Sequence, residues 1–189
     1  PPRSTLFPYT TLFRSDKWGN VASMTSTIED IYGSGIIVDG YVLNNELTDF
    51  NFVPDVDGVP TANRVEPGKR PRSSMSPTIV YDQSGQAVLA IGAAGGPTII
   101  AQVAKAIVGV LDWKLDVQSA LVLPTFMGSG DTIRIEAGTP VGGMADTLRA
   151  MGHEVIVDDF GGKLNGIDKM TGQWRGGADP RSNGTAGAP

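Results

Sequence analysis

Two adjacent glycines, Gly95 and Gly96, stand directly before an apolar stretch of helical periodicity and could present backbone N–H groups to an anion. The first N–H groups of a helix have no intrahelical partner, and the helix dipole favours negative charge at that end. Such a pair could stabilise the oxyanion that forms when an acyl group is transferred. A glycine pair before a helix is more often a simple turn, so the pattern alone leaves both interpretations open.

The histidine and cysteine content limits the other chemistry that the chain could perform. The chain has no Cys and one His, which excludes disulfide bonds, thiolate nucleophiles and clustered Cys/His metal sites. His153 falls at a predicted junction of helix and strand, which is typical of a capping or surface histidine. A histidine-dependent catalytic triad is therefore disfavoured.

Alternating strands and helices are predicted to position these groups. Residues 21–27 alternate, which places Val21, Ser23, Thr25 and Thr27 on one face of a strand. Short strands are predicted over residues 36–38 and 41–43, hairpins over 78–91 and 164–178, and a strand over 154–160. Between the second short strand and the first hairpin lies a long loop, residues 51–77, whose length indicates a functional segment.

Three helices complete the predicted elements. The first follows Gly95-Gly96-Pro97 and is predicted to be buried on one face, with apolar positions that follow the helical period: Ile99, Ile100, Val103, Ile107, Val108 and Leu111. A second begins after Asp116, and a third runs from about Pro140 to Met151 and is closed by Gly152. The pattern predicts a mixed α/β domain.

Composition supports one globular domain without a nucleic-acid or membrane partner. With 189 residues, 40% of them hydrophobic and 19% charged, the chain can bury a sizeable core. The 25 Gly and 13 Pro favour tight turns and a mixed α/β protein over a helical bundle. A net charge of −5 and a pI near 4.8 lack the basic footprint of proteins that bind nucleic acid or anionic membranes.

The first fifteen residues read as foreign to the domain. Residues 1–15, PPRSTLFPYTTLFRS, show neither a helical period nor sustained alternation, and they resemble the translation of a sequencing-adaptor oligonucleotide. We therefore interpret 1–15 as a non-native segment and 16–189 as the domain. A native hydrophobic strand is the alternative.

Six short motifs follow one another in a fixed order. They are Thr25-Ser-Thr27, Gly33-Ser-Gly35, Leu43-Asn-Asn-Glu-Leu-Thr-Asp-Phe50, Pro67-Gly-Lys-Arg-Pro-Arg-Ser-Ser-Met-Ser-Pro77, Gly92-Ala-Ala-Gly-Gly96 and Asp179-Pro-Arg181. Each motif is weak alone, but the ordered set covers nearly all of residues 16–181. In this order, the motifs resemble the small catalytic subunit of the γ-glutamyltranspeptidase family.

The resemblance implies an N-terminal-nucleophile hydrolase with an αββα sandwich, of which this chain would be the small-subunit portion. In that family, autocleavage of a precursor yields a large and a small subunit, and the new N-terminal Thr attacks the γ-glutamyl amide while its own α-amine acts as base. The implied substrates are glutathione or other γ-glutamyl compounds, and the acceptor is an amine or water. No metal or organic cofactor is implied.

The resemblance also assigns the catalytic positions. Counting back from Thr27 by family spacing places the nucleophile at position 9, which is Tyr9. The nucleophilic Thr is therefore predicted to be absent, and the chain as written is predicted to be inactive. Thr27 would hydrogen-bond the nucleophile, and Gly95 and Gly96 would form the oxyanion hole.

The substrate's charged groups would be bound by acids and hydroxyls. Glu46 and Asp49 match the positions that hold the α-ammonium, and Ser73 and Ser74 match the pair that donates to the α-carboxylate. Glu29 is a departure, because family members often carry Asn there. A carboxylate at this position would strengthen ammonium binding and restrict bulky acceptors.

Two alternatives remain open. A related acylase of glutaryl or cephalosporin side chains would not need an ammonium site, so the retained acids argue against it. A non-catalytic fragment is favoured by the missing nucleophile. The resemblance implies a large-subunit partner and a periplasmic or extracellular location, which the residues themselves do not encode.

Overall fold

The computed structural model describes residues 9–187, with side chains from Leu12 onward. The chain folds as two compact units. The first includes residues 26–74, and the second includes residues 11–25 and 75–187. Residues 1–8, more than half of the predicted non-native segment, lie outside the described residues.

A two-stranded sheet joins β1 (Tyr9–Ser15) to β2 (Val21–Thr27). The turn between them is fixed by Asp16, whose Oδ1 accepts the backbone N–H groups of Trp18 and Asn20, each over 2.9 Å. Alternating burial along β2 confirms that its odd-numbered residues share one face. Although residues 9–15 form β1, the non-native origin of residues 1–15 stays a prediction.

The first unit consists mainly of turns and two short antiparallel hairpins. One of them confirms the strand pair predicted around residues 39–40. Its regular elements are β3 (Ile37–Val38), β4 (Tyr41–Val42), the 3-10 turn Glu46–Asp49, β5 (Asp55–Val56) and β6 (Val59–Pro60). Among the described residues, Phe50 is the buried hydrophobic side chain of this unit, at 6% exposure. A unit with so little core gains little of its stability from burial of its own apolar surface.

The second unit is built on a four-stranded antiparallel sheet in the order β13-β12-β8-β7. Its strands are β7 (Thr78–Tyr81), β8 (Ala87–Ala94), β12 (Lys163–Asp168) and β13 (Arg175–Ala178). Both predicted hairpins are confirmed. Helices α1 (Ile99–Leu111) and α2 (Val117–Val122) pack against this sheet and bury Leu89, Ile91 and Leu164 between the layers.

A three-stranded sheet in the order β11-β10-β9 forms the other layer of this unit. Strands β9 (Phe126–Ser129) and β10 (Thr132–Glu136) are antiparallel, and β10 runs parallel to β11 (Glu154–Asp158) through helix α3 (Ala145–Ala150). A helical crossover is the usual connection between parallel strands. Strands β9 and β10 were not predicted from the sequence.

Two elements of this layer are shorter than the sequence predicted. The third helix is confirmed but shorter than predicted, because a 3-10 turn, Gly142–Met144, precedes it and its two glycines disfavour α-helix. Gly152 does close the helix, at φ +96. The strand predicted to reach Phe160 ends at Asp158, where Asp158 and Asp159 side chains accept backbone N–H groups and form a turn.

Helix α1 is buried on one face, and that face includes most of the predicted apolar positions. Ile99 and Val103 are buried, and Ile107 and Leu111 pack against the same core. Ile100 and Val108 are the exceptions, at 62% and 38% exposure. Ala106 and Val110 complete the buried face. Within residues 9–187, no helix has the length and apolarity needed to cross a bilayer.

Candidate functional site

Three carboxylates of the first unit, Glu29, Glu46 and Asp49, converge on one point. An oxygen from each lies within 4.8 Å of the other two, and all three side chains are half-buried. Their positions in sequence, one in a turn after β2 and two in the 3-10 turn Glu46–Asp49, do not by themselves require this meeting. The arrangement concentrates negative charge and could hold a small cation such as an ammonium group.

The turn that carries Glu29 is fixed from two sides. The Glu29 N–H donates to Thr27 Oγ1 over 2.8 Å, and Glu29 itself adopts φ +73. Asn45 then links this turn to the acids beyond it, since its N–H donates to Ile28 O over 3.2 Å and its Oδ1 accepts the Asp30 N–H over 2.9 Å. Glu29 therefore faces the 3-10 turn through backbone contacts that do not depend on its own side chain.

The long loop, residues 51–77, holds the third acid in place. Asn63 Nδ2 donates to Asp49 O over 2.7 Å and to Asn51 Oδ1 over 3.2 Å, while Asn63 Oδ1 accepts the Arg72 N–H over 2.9 Å. One side chain thus ties the end of the 3-10 turn to both ends of the loop. These bonds give the loop a structural role, and the functional role indicated by its length stays a prediction.

The electrostatics of this acid cluster follow from burial and mutual repulsion. Burial, and after it the charges of Asp49, Glu46 and Asp30, raises the pKa of Glu29 above its ordinary value. Burial and the neighbouring Asp49 likewise raise the pKa of Glu46. Like charges held together in a partly desolvated site favour bound protons, and a bound cation would relieve the same repulsion.

The two serines belong to the same unit as the acids. Ser73 is exposed and Ser74 is half-buried, and both lie in the extended stretch that precedes β7. The structure thus places all six first-unit residues, Thr27, Glu29, Glu46, Asp49, Ser73 and Ser74, in one compact body. The acids are shown to meet, whereas the contribution of the serines stays a prediction.

Strand β2 presents hydroxyl groups along its half-buried face. Thr27 Oγ1 accepts from Glu29, which leaves the hydroxyl proton of Thr27 available to another acceptor. Two further hydroxyls on that face, Ser23 Oγ and Thr25 Oγ1, are buried and have no hydrogen-bond partner. A buried face with unpaired hydroxyls is suited to receive further polar groups.

In the second unit, Gly95 and Gly96 form a tight turn between β8 and α1. Both have positive φ, +140 and +58, and Gly96 opens the 3-10 turn Gly96–Thr98 that leads into the helix. A Cβ at Gly96 would meet nothing within 4 Å, so the space beside it is open. The turn therefore presents backbone to an unobstructed region, as an anion-binding turn requires.

The motif Asp179-Pro-Arg181 anchors a buried ionic network in the second unit. Arg181 Nε donates to Glu136 Oε1 over 2.5 Å, and Arg181 Nη1 donates to Asp179 Oδ1 over 3.1 Å. Arg181 Nη2 also donates to the carbonyl of Val122 over 3.1 Å. Arg181 thus joins the C-terminal segment to β10 and to the end of α2, which gives the motif a structural role.

Asn45, Asn63 and Glu136 support these features and were not predicted from the sequence. None of the three roles could be read from local sequence, since the partners described above lie 15, 14 and 45 residues away.

Comparison with known proteins gives one consistent family. A family model described as Gamma-glutamyltranspeptidase matches residues 10–188. The chain is 38% identical over 192 residues to the glutathione hydrolase proenzyme of Bacillus subtilis, covering 98% of this chain and 32% of that protein. It therefore spans about a third of the length of such curated relatives.

Solved structures agree with the sequence matches. The γ-glutamyltranspeptidase of Pseudomonas nitroreducens superposes with a TM-score of 0.83 at 33% identity, covering 95% of this chain and 99% of that one. A cephalosporin acylase of Bacillus halodurans is more distant, with a TM-score of 0.73 at 27% identity over 87% of this chain and 31% of that one. The predicted mixed α/β, N-terminal-nucleophile hydrolase fold is confirmed. On the match of residues 10–188 and these structural likenesses, the chain belongs to the γ-glutamyltranspeptidase family.

Proposed function

We propose that this chain is the small-subunit portion, without its nucleophilic Thr, of an enzyme that hydrolyses glutathione and other γ-glutamyl amides or transfers their γ-glutamyl group to an amine. The carrying observation is the convergence of Glu29, Glu46 and Asp49 within 4.8 Å. A γ-glutamyl group has an α-ammonium, and paired carboxylates are its natural acceptors. Ser73 and Ser74 would donate to the α-carboxylate of the same group.

In the proposed reaction, the hydroxyl oxygen of an N-terminal Thr attacks the γ-carbonyl carbon and its proton passes to the α-amine of that Thr. The N–H groups of Gly95 and Gly96 stabilise the tetrahedral oxyanion. Collapse breaks the C–N bond, returns the proton to the leaving amine and leaves a γ-glutamyl ester. Water or an acceptor amine then attacks that ester, which releases the product and restores the hydroxyl.

Thr27 and Glu29 would adjust this reaction without taking part in bond making. The Thr27 hydroxyl already accepts from the Glu29 N–H, so its proton is free to orient the nucleophile. Glu29 adds a third negative charge beside the ammonium, which favours donors with a free α-amine and disfavours bulky acceptors.

The nucleophile is proposed to be missing from the chain as written, because family spacing places Tyr9 at its position. The active form would then need Thr at that position and the preceding part of the precursor. The chain covers about a third of its curated relatives, which supports a large-subunit partner cut from the same precursor. Family membership supports a periplasmic or extracellular location.

Exposed apolar side chains in the first unit support such a partner. Tyr32, Tyr41 and Phe52 are 78%, 76% and 84% exposed, and Phe50 is the buried hydrophobic residue among the described ones in that unit. Large apolar side chains exposed in this way are typical of a surface that a partner covers. We propose that the large subunit covers it and completes the core of the unit.

The test uses an assembled enzyme, defined as this chain with Tyr9→Thr expressed behind the coding region that precedes it in the source genome. We expect autocleavage and turnover of γ-glutamyl p-nitroanilide. Glu46→Gln and Asp49→Asn should each raise KM by about tenfold, the loss of one charged hydrogen bond to the ammonium. Unchanged KM values in both variants would contradict the ammonium site.

The structural likeness to a cephalosporin acylase makes glutaryl-amide hydrolysis a second candidate. A glutaryl group lacks the α-ammonium, so three converging carboxylates would give it no favourable partner. The same assembled enzyme decides between them when γ-glutamyl and glutaryl p-nitroanilides are compared. Equal kcat/KM for the two substrates would favour the acylase.

A further inference from the structure

A chain of three hydrogen bonds, the central one buried and the outer two partly buried, ends on the carbonyl oxygen of Gly95. The Lys163 N–H donates to Gln102 Oε1 over 3.3 Å, and Gln102 Nε2 donates to Thr98 Oγ1 over 2.7 Å. The Thr98 hydroxyl then donates to Gly95 O over 2.8 Å. Since every donor points the same way along the chain, the three bonds polarise one another in one direction.

These side chains are deeply placed for polar groups. Gln102 is fully buried within helix α1 and Thr98 is 8% exposed. The two residues occupy an α1 face that otherwise buries apolar side chains such as Val103. A buried amide in such a position costs stability unless it is fully bonded, so its use here points to a specific task.

Thr98 and Gln102, which we call the Thr98–Gln102 relay, lie next to the Gly95–Gly96 turn. A Cβ added at Gly95 would come within 2.7 Å of Thr98 Oγ1 and 3.0 Å of Gln102 Nε2. The same addition at Gly96 would meet nothing within 4 Å. One side of the turn therefore rests on the relay, and the other side is open.

The planar peptide between Gly95 and Gly96 links the position of the Gly95 carbonyl to the direction of the Gly96 N–H. In a trans peptide the carbonyl of one residue and the N–H of the next point in opposite directions, and the described chain has no cis peptide bond. The Gly95 carbonyl is held towards Thr98 by that residue's hydroxyl, over 2.8 Å, and by its backbone N–H, over 3.3 Å, so the Gly96 N–H is directed away from Thr98. A hydrogen bond to the carbonyl also strengthens the N–H of the same peptide as a donor.

We propose that Thr98 and Gln102 are positioning residues that orient and polarise the Gly96 N–H as an oxyanion donor. This inference rests on the proposed function. Neither residue touches the reacting atoms, and both act through the Gly95–Gly96 peptide. The expected signature is a loss of rate at unchanged substrate binding, since the oxyanion exists only in the transition state.

The first measurement uses the full chain, labelled with ¹⁵N, and needs no activity. Thr98→Val removes the hydroxyl at nearly constant volume, and we expect the Gly96 amide proton signal to move upfield as its donor strength falls. Thr98→Ser retains the hydroxyl and should keep the signal close to that of the original chain. Gln102→Met, which leaves Thr98 in place, should give a smaller shift in the same direction and serves if Thr98→Val does not fold.

The second measurement uses the assembled enzyme and γ-glutamyl p-nitroanilide. Thr98→Val should lower kcat by about tenfold with KM within about twofold, and Thr98→Ser should restore most of kcat. An unmoved Gly96 signal in Thr98→Val and Gln102→Met, or a moved signal with unchanged kcat, would overturn the positioning role. An assembled enzyme without turnover of this substrate would overturn the proposed function, and the two outcomes are thereby distinguished.

Discussion

The Glu29 backbone N–H donates to the Thr27 hydroxyl over 2.8 Å, and the turn that follows holds Glu29 at φ +73. A left-handed backbone is unfavourable for a long L side chain and is best tolerated by Gly and Asn. We expect Glu29→Asn to raise the free energy of unfolding of the first unit by about 1 kcal/mol at pH 7. Hydrogen exchange at the Asp30 and Asn45 amides, both bonded within this unit, measures the change.

The matched variant Glu29→Gln separates charge from backbone strain. Burial and neighbouring carboxylates raise the pKa of Glu29 above its ordinary 4.5, so the folded state is penalised above that pH and the penalty vanishes as pH falls below it. Glu29→Gln should therefore slow amide exchange at pH 7 and give no gain at pH 4. A gain that persists at pH 4 would contradict the electrostatic explanation.

Gly33 should be irreplaceable, whereas Gly35 should not. Both have positive φ, +50 and +72, but a Cβ at Gly33 would lie 2.2 Å from Leu43 O while one at Gly35 meets nothing within 4 Å. Gly35→Ala should cost about 1 kcal/mol of backbone strain, and Gly33→Ala considerably more, because the β3–β4 hairpin must open to relieve the clash. Hydrogen exchange of the Ser34 and Leu43 amides follows this hairpin, and equal effects of the two substitutions would contradict the prediction.

Among the charged residues of the second unit, Arg181 should cause the largest loss in the free energy of unfolding when it is substituted. Arg181→Met would leave Glu136 and Asp179, which are 7% and 0% exposed, as uncompensated buried carboxylates. We expect a loss of about 3 to 5 kcal/mol in the free energy of unfolding, measured by urea denaturation. Asp146→Asn removes a surface ion pair with Arg149 and should cost less than about 1 kcal/mol. Similar losses in both variants would contradict the assignment of a buried network.

Lys105 should make the second unit more stable in mild alkali. Burial, and after it the charge of Arg181, lowers the pKa of Lys105 to about 8, from an ordinary 10.5. Between these values the unfolded chain binds more protons than the folded one, so stability rises with pH across that window. Lys105→Met should reduce this rise in thermal melts recorded from pH 7 to 10.5. An identical pH slope in both proteins would show that the amine is not buried with a lowered pKa.

Local patterns predicted the elements well and their mutual contacts poorly. The hairpins at β7–β8 and β12–β13 follow from turn residues between alternating strands, which is local information. Strand β9 was missed because Phe126-Met-Gly-Ser129 lacks strong alternation and forms by pairing with β10. Strand β10, Thr132-Ile-Arg-Ile-Glu136, does alternate, so the sequence carried a local signal for it.

The candidate site shows the same division. The resemblance identified Glu46 and Asp49, and the structure brings Glu29 to within 4.8 Å of them. Asn63 and the Thr98–Gln102 relay could not be predicted, since each acts through backbone groups that only the folded chain brings together. Side chains that organise a turn leave no periodic trace in the sequence.

The sparse interior of the first unit, with Phe50 as its buried hydrophobic residue among those described, couples the acid cluster to folding. Any molecule that binds these carboxylates only when the unit is ordered must supply the free energy of ordering, so its apparent affinity is reduced by the fraction of chains that are ordered. A partner that covers the apolar surface increases that fraction and so tightens binding at the cluster without touching it. Subunit assembly and substrate binding would then be thermodynamically coupled, because both favour the ordered state of the first unit.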